Sequence, residues 1–371
     1  MGGAVRHLTN FLPALARHDT VGEYHVLVRE SFRADKALPA NIRLRPIPDA
    51  TASGWLRRVA FDNIQVNRTL RREGFDTLVS LTNFGPLAPP ARHVFFQRNP
   101  LYYCRHYLDM VQGRIKAETL LRRQLAVEIM KRCDVVVAPT QGMIGMILET
   151  CPRLKDRRFQ VLYHGYADEG YREPLEDRFR KLFDFSGLKL LYPTHPARHK
   201  GFEVLFRILA RLKGRRDFRL YTTICREDWP EVVLPYEREI RRLGLEREVV
   251  FTGRIPQQQM GEVYRLCDVM IYPSLCESFG FSMVEAMGSG LPIVAAGTCV
   301  NREICGAAAL YYPPEDDEKG CAAILEVLEG HQRRDLAAKG RERIAGFDWG
   351  WDRYAREFLK IVVGTGSPSP G

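Results

Sequence analysis

Short apolar or β-branched runs alternate with longer helical patterns over almost the whole chain, a rhythm that predicts parallel strands covered by helices. In the first half, strands are expected at EYHVLV from Glu23, IRLRPIP from Ile42, DTLVSL from Asp76, HVFFQ from His93 and DVVVAPT from Asp134. Helical stretches near Ala4 to Arg17, Trp55 to Arg72 and Ile115 to Arg132 separate several of them. The pattern then restarts, with LKLLYPT from Leu188, FRLYTTI from Phe218, EVVFTG from Glu248, DVMIYPS from Asp268, PIVAA from Pro292 and AALYYP from Ala308. Between the two series lies the charge-dense stretch YADEGYREPLEDRFRKLFDFSG, which reads as an interdomain connection. The class is α/β, and two similar sheets would face one another across a cleft.

Length agrees, because 371 residues exceed what one core usually organises. A chain that is 45% hydrophobic and 27% charged has the balance of a globular protein rather than a disordered one. Its formal net charge of +10 favours partners that carry phosphate or anionic head groups. No clustered basic stripe or recognised reader motif accompanies that charge, so nucleic acid is not expected as a partner. Nine cysteines run from Cys104 to Cys321 without a CxxC pair or zinc-site spacing, which reads as reduced thiols in the cytoplasm. No apolar run approaches the roughly 20 residues of a membrane span, and MGGAVRHLTN lacks a signal-peptide core.

The strongest local signal is PSLCESFGFSMVEAMGSGLPIVAA, from Pro273 to Ala296. It reads as strand end, tight loop, short helix, glycine stop and next strand. A helix start offers backbone N–H groups and a positive dipole end to a phosphate or sugar hydroxyl. Ser282 and Glu285 also have the spacing of a capping box, which needs no ligand. Glu277 lies outside that helix, at the carboxyl end of a predicted parallel strand, where ligands of open α/β sheets bind.

This run resembles the donor-site signature of family 4 glycosyltransferases, retaining enzymes of the two-domain GT-B fold. Glu277 and Glu285 match its paired glutamates, with FG between them, EAM around the second and a G-x-P exit. The resemblance implies a nucleotide-diphosphate sugar as donor, Glu277 on sugar hydroxyls, Glu285 on the ribose, and Phe279, Gly280, Phe281 and Ser282 lining the donor. PTHPARHKGFEVLFRIL resembles the family's phosphate-binding loop and places Lys200 where a diphosphate-contacting lysine is expected, with Glu277 the second catalytic residue. The companion basic position is His195 here, and Arg198 is an alternative cation. VVFTGRIP resembles the segment beside the nucleobase, through Gly253, Arg254 and Ile255, and GGAVRH resembles the glycine loop near donor and acceptor, through Gly2 and Gly3. In HVFFQRNPLYY, Gln97 stands where many relatives have histidine; Gln97, Arg98 and Asn99 are acceptor-side candidates, and His93 reads as a packed core histidine.

The same resemblance divides the chain into an acceptor-side Rossmann-like domain over 1–166, a connection over 167–186, a nucleotide-sugar domain over 187–346, and a returning helix and tail over 347–371. The family's first strand would precede the glycine loop and is missing here, for which a start assigned too far downstream is the preferred account. The implied chemistry is same-face displacement: diphosphate leaves through an oxocarbenium-like state while an acceptor hydroxyl attacks beside it. No metal is expected, since no carboxylate cluster of the divalent-cation type accompanies the motif. The implied acceptor is a glycan or a lipid-linked sugar. The mixed aromatic and basic stretch from Leu101 to Cys133 could lay an amphipathic helix on an anionic membrane, at the inner face of the cell membrane. Rival readings are a noncatalytic nucleotide-sugar-binding protein and a GT-B epimerase or phosphorylase.

Overall fold

The computed structural model describes residues 3–33, 38–49, 51, 54–166, 173–329 and 331–364, with the side chains of 3–6 outside that description. The chain divides into two compact units. Among the described residues, the N-terminal unit holds 3–103, 112–165 and 349–364, and the C-terminal unit holds 104–111 and 166–348. The sequence partition misses the excursion over 104–111. It also reads 173–186 as linker, whereas these residues belong to the C-terminal unit. Phe179 and Phe183, one helical turn apart, are buried there, and the Leu175 amide donates to Glu262 at 2.7 Å.

In the N-terminal unit, helix α1 (Gly3–His18) precedes strands β1 (Tyr24–Arg29) and β2 (Ile42–Ile47), which form a parallel pair of their own. A second parallel sheet has the order β3 (Thr77–Ser80), β4 (Arg92–Phe96), β5 (Val135–Ala138), β6 (Phe159–Val161). Among the described residues no strand joins the two sheets. Phe95, Val136, Met143 and Ile147 pack with helix α2 (Gly113–Met130), through Ile129 and Met130, into a shared core. The stretch expected to form one membrane-binding helix is broken into a 3₁₀ turn at Pro100–Tyr102, a short helix at Arg105–Met110, and α2. Among the described residues no helix is long and apolar enough to cross a membrane.

The C-terminal unit is built on one six-stranded parallel sheet. Its order is β12 (Ala309–Tyr312), β11 (Ile293–Ala296), β10 (Val269–Tyr272), β7 (Leu188–Tyr192), β8 (Phe218–Thr222), β9 (Val249–Phe251). β10 and β11 are buried at every residue, which is why they read as continuous apolar runs rather than alternating ones. Helix α3 (Phe202–Leu212) follows β7, α4 (Met260–Leu266) precedes β10, α5 (Phe281–Gly288) joins β10 to β11, and α6 (Gln332–Gly346) lies near the end of the unit. Helix α7 (Trp351–Val363) returns to the N-terminal unit, where Tyr354 and Phe358 pack edge-on against Phe11 of α1 at 5.2 and 4.8 Å between ring centres.

Candidate functional site

From β7 the chain winds through β8 and β9 to one edge of the C-terminal sheet, then returns to β10 beside β7 and winds the other way. Such a reversal opens a crevice at the carboxyl ends of the two central strands. Lys200 follows β7 and Glu277 follows β10, so topology brings together residues 77 positions apart.

The two loops are pinned to each other by backbone bonds. The Leu275 amide donates to the His199 carbonyl at 2.9 Å, and the Tyr192 hydroxyl donates to the Lys200 carbonyl at 2.8 Å. Gly201 closes the turn with φ +68°, and a β-carbon there would collide with the Pro273 carbonyl oxygen. Only glycine supplies both the left-handed conformation and the close approach.

Lys200 Nζ donates to Glu277 Oε1 at 2.6 Å, and the Tyr272 hydroxyl donates to the same oxygen at 2.8 Å. The side chains of Lys200 and Glu277 are only 9% and 12% exposed, so the pair is largely withdrawn from solvent screening. Burial pushes the Glu277 carboxyl up, but the Lys200 ammonium and hydrogen bonds from Lys200 and Ser274 outweigh that and hold its pKa below the ordinary value. Burial and the neighbouring Glu277 raise the Tyr272 hydroxyl well above its usual range, so it remains a donor. His199 is pushed down to about 4 by burial and the adjacent Lys200, and burial with Lys200 also lowers His195. Both imidazoles are therefore neutral at pH 7. The loop thus carries its cation on Lys200 and on the exposed Arg198, whose guanidinium reaches the Met110 carbonyl at 3.4 Å.

The excursion over 104–111 serves these loops. Cys104 Sγ contacts the Leu275 carbonyl at 3.7 Å, and Tyr107 lies edge-on to His199, with ring centres 6.0 Å apart.

Helix α5 begins two residues earlier than the capping-box reading requires. Gly280, at φ +88°, is the N-cap; no side chain caps the helix, and Ser282 lies within its first turn. Glu285 is buried and accepts from the Tyr264 hydroxyl at 2.6 Å and from Gln257 Nε2 at 3.4 Å. The helix start retains its positive dipole end close to Glu277. Phe279 is buried and Phe281 half-buried, their rings 5.1 Å apart.

The remaining sequence candidates divide. Gly253 adopts φ +73° and its amide donates to the Ile224 carbonyl at 3.1 Å; Ile255 is half-buried beside it. Arg254 is exposed and paired with Asp228 at 2.6 Å. Gly2 lies outside the described residues, and Gly3 is the first residue of α1. In the N-terminal unit, Gln97 is fully buried, its Nε2 donating to the Asn99 carbonyl at 3.3 Å while its Oε1 has no partner among the described residues. Asn99 caps the 3₁₀ turn by accepting from the Leu101 amide at 3.1 Å. The Arg98 guanidinium donates to His7 Nε2 and to the Tyr354 hydroxyl, each at 3.1 Å, and lies 5.0 Å from the Phe96 ring. His93 is a core residue bonded to Ser80 at 2.9 Å, and burial pulls it down to about 4. Among the described residues no group of three or more His, Cys, Asp or Glu side chains is placed to hold a metal ion.

Sequence reasoning missed Tyr272, Tyr264 and the 104–111 segment. Tyr272 sits in an apolar run that reads as core and Tyr264 in a stretch of mixed polarity, and only the folded chain turns each hydroxyl onto a glutamate.

Two family descriptions divide the chain between them: Glycosyltransferase Family 4 matches residues 1–169, and Glycosyl transferases group 1 matches residues 175–343. Mannosylfructose-phosphate synthase of Agrobacterium fabrum is 28% identical over 254 residues, 64% of this chain and 54% of that protein. D-inositol 3-phosphate glycosyltransferase of Corynebacterium aurimucosum is 38% identical over 217 residues, 53% of this chain and 50% of that one. This chain therefore aligns over about half the length of each of these two relatives. Among solved structures, sucrose-phosphate synthase from Thermosynechococcus elongatus matches with a TM-score of 0.74 at 18% identity, covering 98% of this chain and 94% of that one. Anabaena HepE in complex with UDP and glucose matches with a TM-score of 0.71 at 18% identity, covering 98% and 96%. At that identity the likeness establishes the fold, which is GT-B.

Proposed function

Because the chain belongs to the family 4 glycosyltransferases, we propose that it moves a hexose from a UDP- or GDP-sugar to a hydroxyl of a glycan or lipid-linked acceptor, with retention of anomeric configuration. The observation that carries this reading is the Lys200–Glu277 pair, 2.6 Å apart, at the reversal of the C-terminal sheet and close to the start of α5. Relatives solved with UDP, or with UDP and glucose, support a nucleotide-sugar donor.

In this reading a diphosphate draws the Lys200 ammonium to itself, and Glu277 turns to the donor-sugar hydroxyls. The bond between the anomeric carbon and the diphosphate oxygen breaks with its electron pair leaving on the diphosphate. The acceptor oxygen bonds to the anomeric carbon on the same face, and its proton passes to a leaving phosphate oxygen. Lys200 and the first-turn amides of α5 stabilise the charge that grows on that group. Neither glutamate acts as a nucleophile, so the paired-carboxylate chemistry of glycoside hydrolases does not apply. The reading assigns charge neutralisation to these groups, and turnover should therefore persist in EDTA.

On the acceptor side the reading keeps Gln97, Arg98 and Asn99. Among the described residues Arg98 has only neutral partners and its buried Nε has none, which suits an acceptor that carries phosphate. The names of the phosphate-handling relatives agree with that chemistry. Exposed Ile115 and Leu121 of α2, among Arg114, Lys116 and Arg123, offer a peripheral contact for an anionic membrane.

A thermal-shift panel of UDP- and GDP-sugars tests the donor, since a bound donor raises the melting temperature. Product analysis by NMR then reads the anomeric configuration. No shift with any donor would overturn the reading, and donor binding without turnover on any acceptor would mark a noncatalytic nucleotide-sugar binder.

A further inference from the structure

A cavity of about 380 Å³ opens in the C-terminal unit at the amino ends of β10 and β11, the opposite end of these strands from Lys200 and Glu277. Its walls are Tyr264 and Arg265 of α4, Ser289 and Gly290 after α5, and Arg333 and Arg334 in the first turn of α6. Arg333 is held by Asp268 at 2.7 Å, whereas Arg265 and Arg334 have no ion pair among the described residues. A fourth guanidinium, from Arg341, packs against Gly290, whose φ of +71° and missing side chain leave it room. Like charges gathered around one concavity repel unless an anion sits among them. The planar fork of arginine matches phosphate oxygens, and the first-turn amides of α6 add donors that the helix itself does not use. The volume is that of a small molecule.

Two features lead from this cavity to the donor site. Tyr264 forms part of the wall and donates to Glu285 at 2.6 Å. The Ser289–Gly290 wall is the immediate continuation of α5, whose other end lies by Glu277. We propose that the cavity is a regulatory site for a small phosphorylated molecule, distinct from the donor site and acting on it through Tyr264 and α5. The regulatory half rests on the reading of Glu285 as a donor contact; the binding half does not.

The first test titrates inorganic phosphate into Lys200→Ala protein by calorimetry, with and without the further changes Arg265→Glu and Arg334→Glu. Both arginines are exposed, so these variants should keep the melting temperature of their parent. Phosphate should bind the Lys200→Ala protein and lose at least tenfold in affinity when the two arginines are reversed. No binding, or equal binding with and without the arginines, would overturn the site. In the second test, phosphate should change the dissociation constant of the nucleoside diphosphate for the wild-type chain at least threefold beyond simple competition. That excess should vanish in Tyr264→Phe and in Arg265→Glu/Arg334→Glu, where competition alone persists. An excess that survives in either would overturn the coupling. If no nucleoside diphosphate binds at all, the donor reading fails while the first test still decides the cavity. Sedimentation with phosphatidylglycerol vesicles gives a third arm. Arginine-dependent binding to vesicles without binding of soluble phosphate would assign the arginines to a lipid head group and overturn the proposal.

Discussion

The two groups of candidate residues, one in each unit, treat their buried charges in opposite ways. In the C-terminal unit each charge at the candidate site has a partner within the unit: Lys200 has Glu277, Glu277 also has Tyr272, and Glu285 has Tyr264. In the N-terminal unit the acceptor-side candidates are left short among the described residues. Among the described residues, Gln97 Oε1, Arg98 Nε and His7 Nδ1 are buried without partners, and Arg98 reaches only neutral groups. Burial and the Arg98 charge accordingly pull His7 well below its usual pKa, so it accepts from Arg98 as a neutral imidazole. One group of residues is charge-balanced by its own side chains, and the other holds a buried guanidinium that, among the described residues, has neutral partners only.

The contrast is tested most severely at Glu277. Glu277→Gln should lower turnover by about 10²–10³ with the fold retained, and unchanged turnover would remove the assigned role. Glu277→Ala leaves the Lys200 ammonium buried without its partner and should in addition cost about 3–5 kcal/mol in chemical denaturation. Adding Lys200→Met to it should recover most of that stability and none of the activity. At Arg98 the opposite is expected: Arg98→Met should change stability by less than about 1 kcal/mol while raising the acceptor KM. A large loss of stability there would show that its neutral partners suffice.

A pH series comes next in size. His93 in the N-terminal unit and His199 in the C-terminal unit are both pulled to about 4, below the value an unfolded chain would have. Between about pH 6.5 and 4 the unfolded chain takes up protons that the folded one refuses, so stability falls as the pH is lowered through that window. The loss approaches about 3 kcal/mol for each histidine. Urea midpoints of His93→Gln and His199→Gln should each lose one part of that slope, and a slope unchanged in both would exclude these residues as its source.

Backbone effects are smaller. Gly201→Ala should destabilise the C-terminal unit by about 1–2 kcal/mol or more, from the left-handed conformation and the collision with Pro273. Asn99→Ala should cost about 1 kcal/mol in the N-terminal unit, read from the same denaturation curves, through loss of its cap on the 3₁₀ turn.

The C-terminal sheet was legible because its central strands are buried on both faces and so read as unbroken apolar runs. The short β6 was not, since three residues after Arg157 and Arg158 carry too little pattern. The helix expected from Trp55 to Arg72 contains a π turn at Asp62–Val66, an irregularity that a 3.6-residue periodicity does not register. At the candidate site, Glu277 and Lys200 were legible through their motifs. The helix start was misplaced because local preference favours serine as a cap, while the chain uses Gly280 in a left-handed conformation to bring Glu277 and α5 together. The 104–111 segment could not be assigned from its own residues, because its place is decided by contacts with Leu275, Arg198 and His199.

The return of α7 to α1 has a bearing on synthesis. Phe11 leaves the ribosome long before its aromatic neighbours Tyr354 and Phe358 have been made. The unit begun first is therefore finished last. A nascent chain halted anywhere before residue 349 leaves the apolar face of α1 without α7, which makes synthesis of α7 itself a condition for that unit to close.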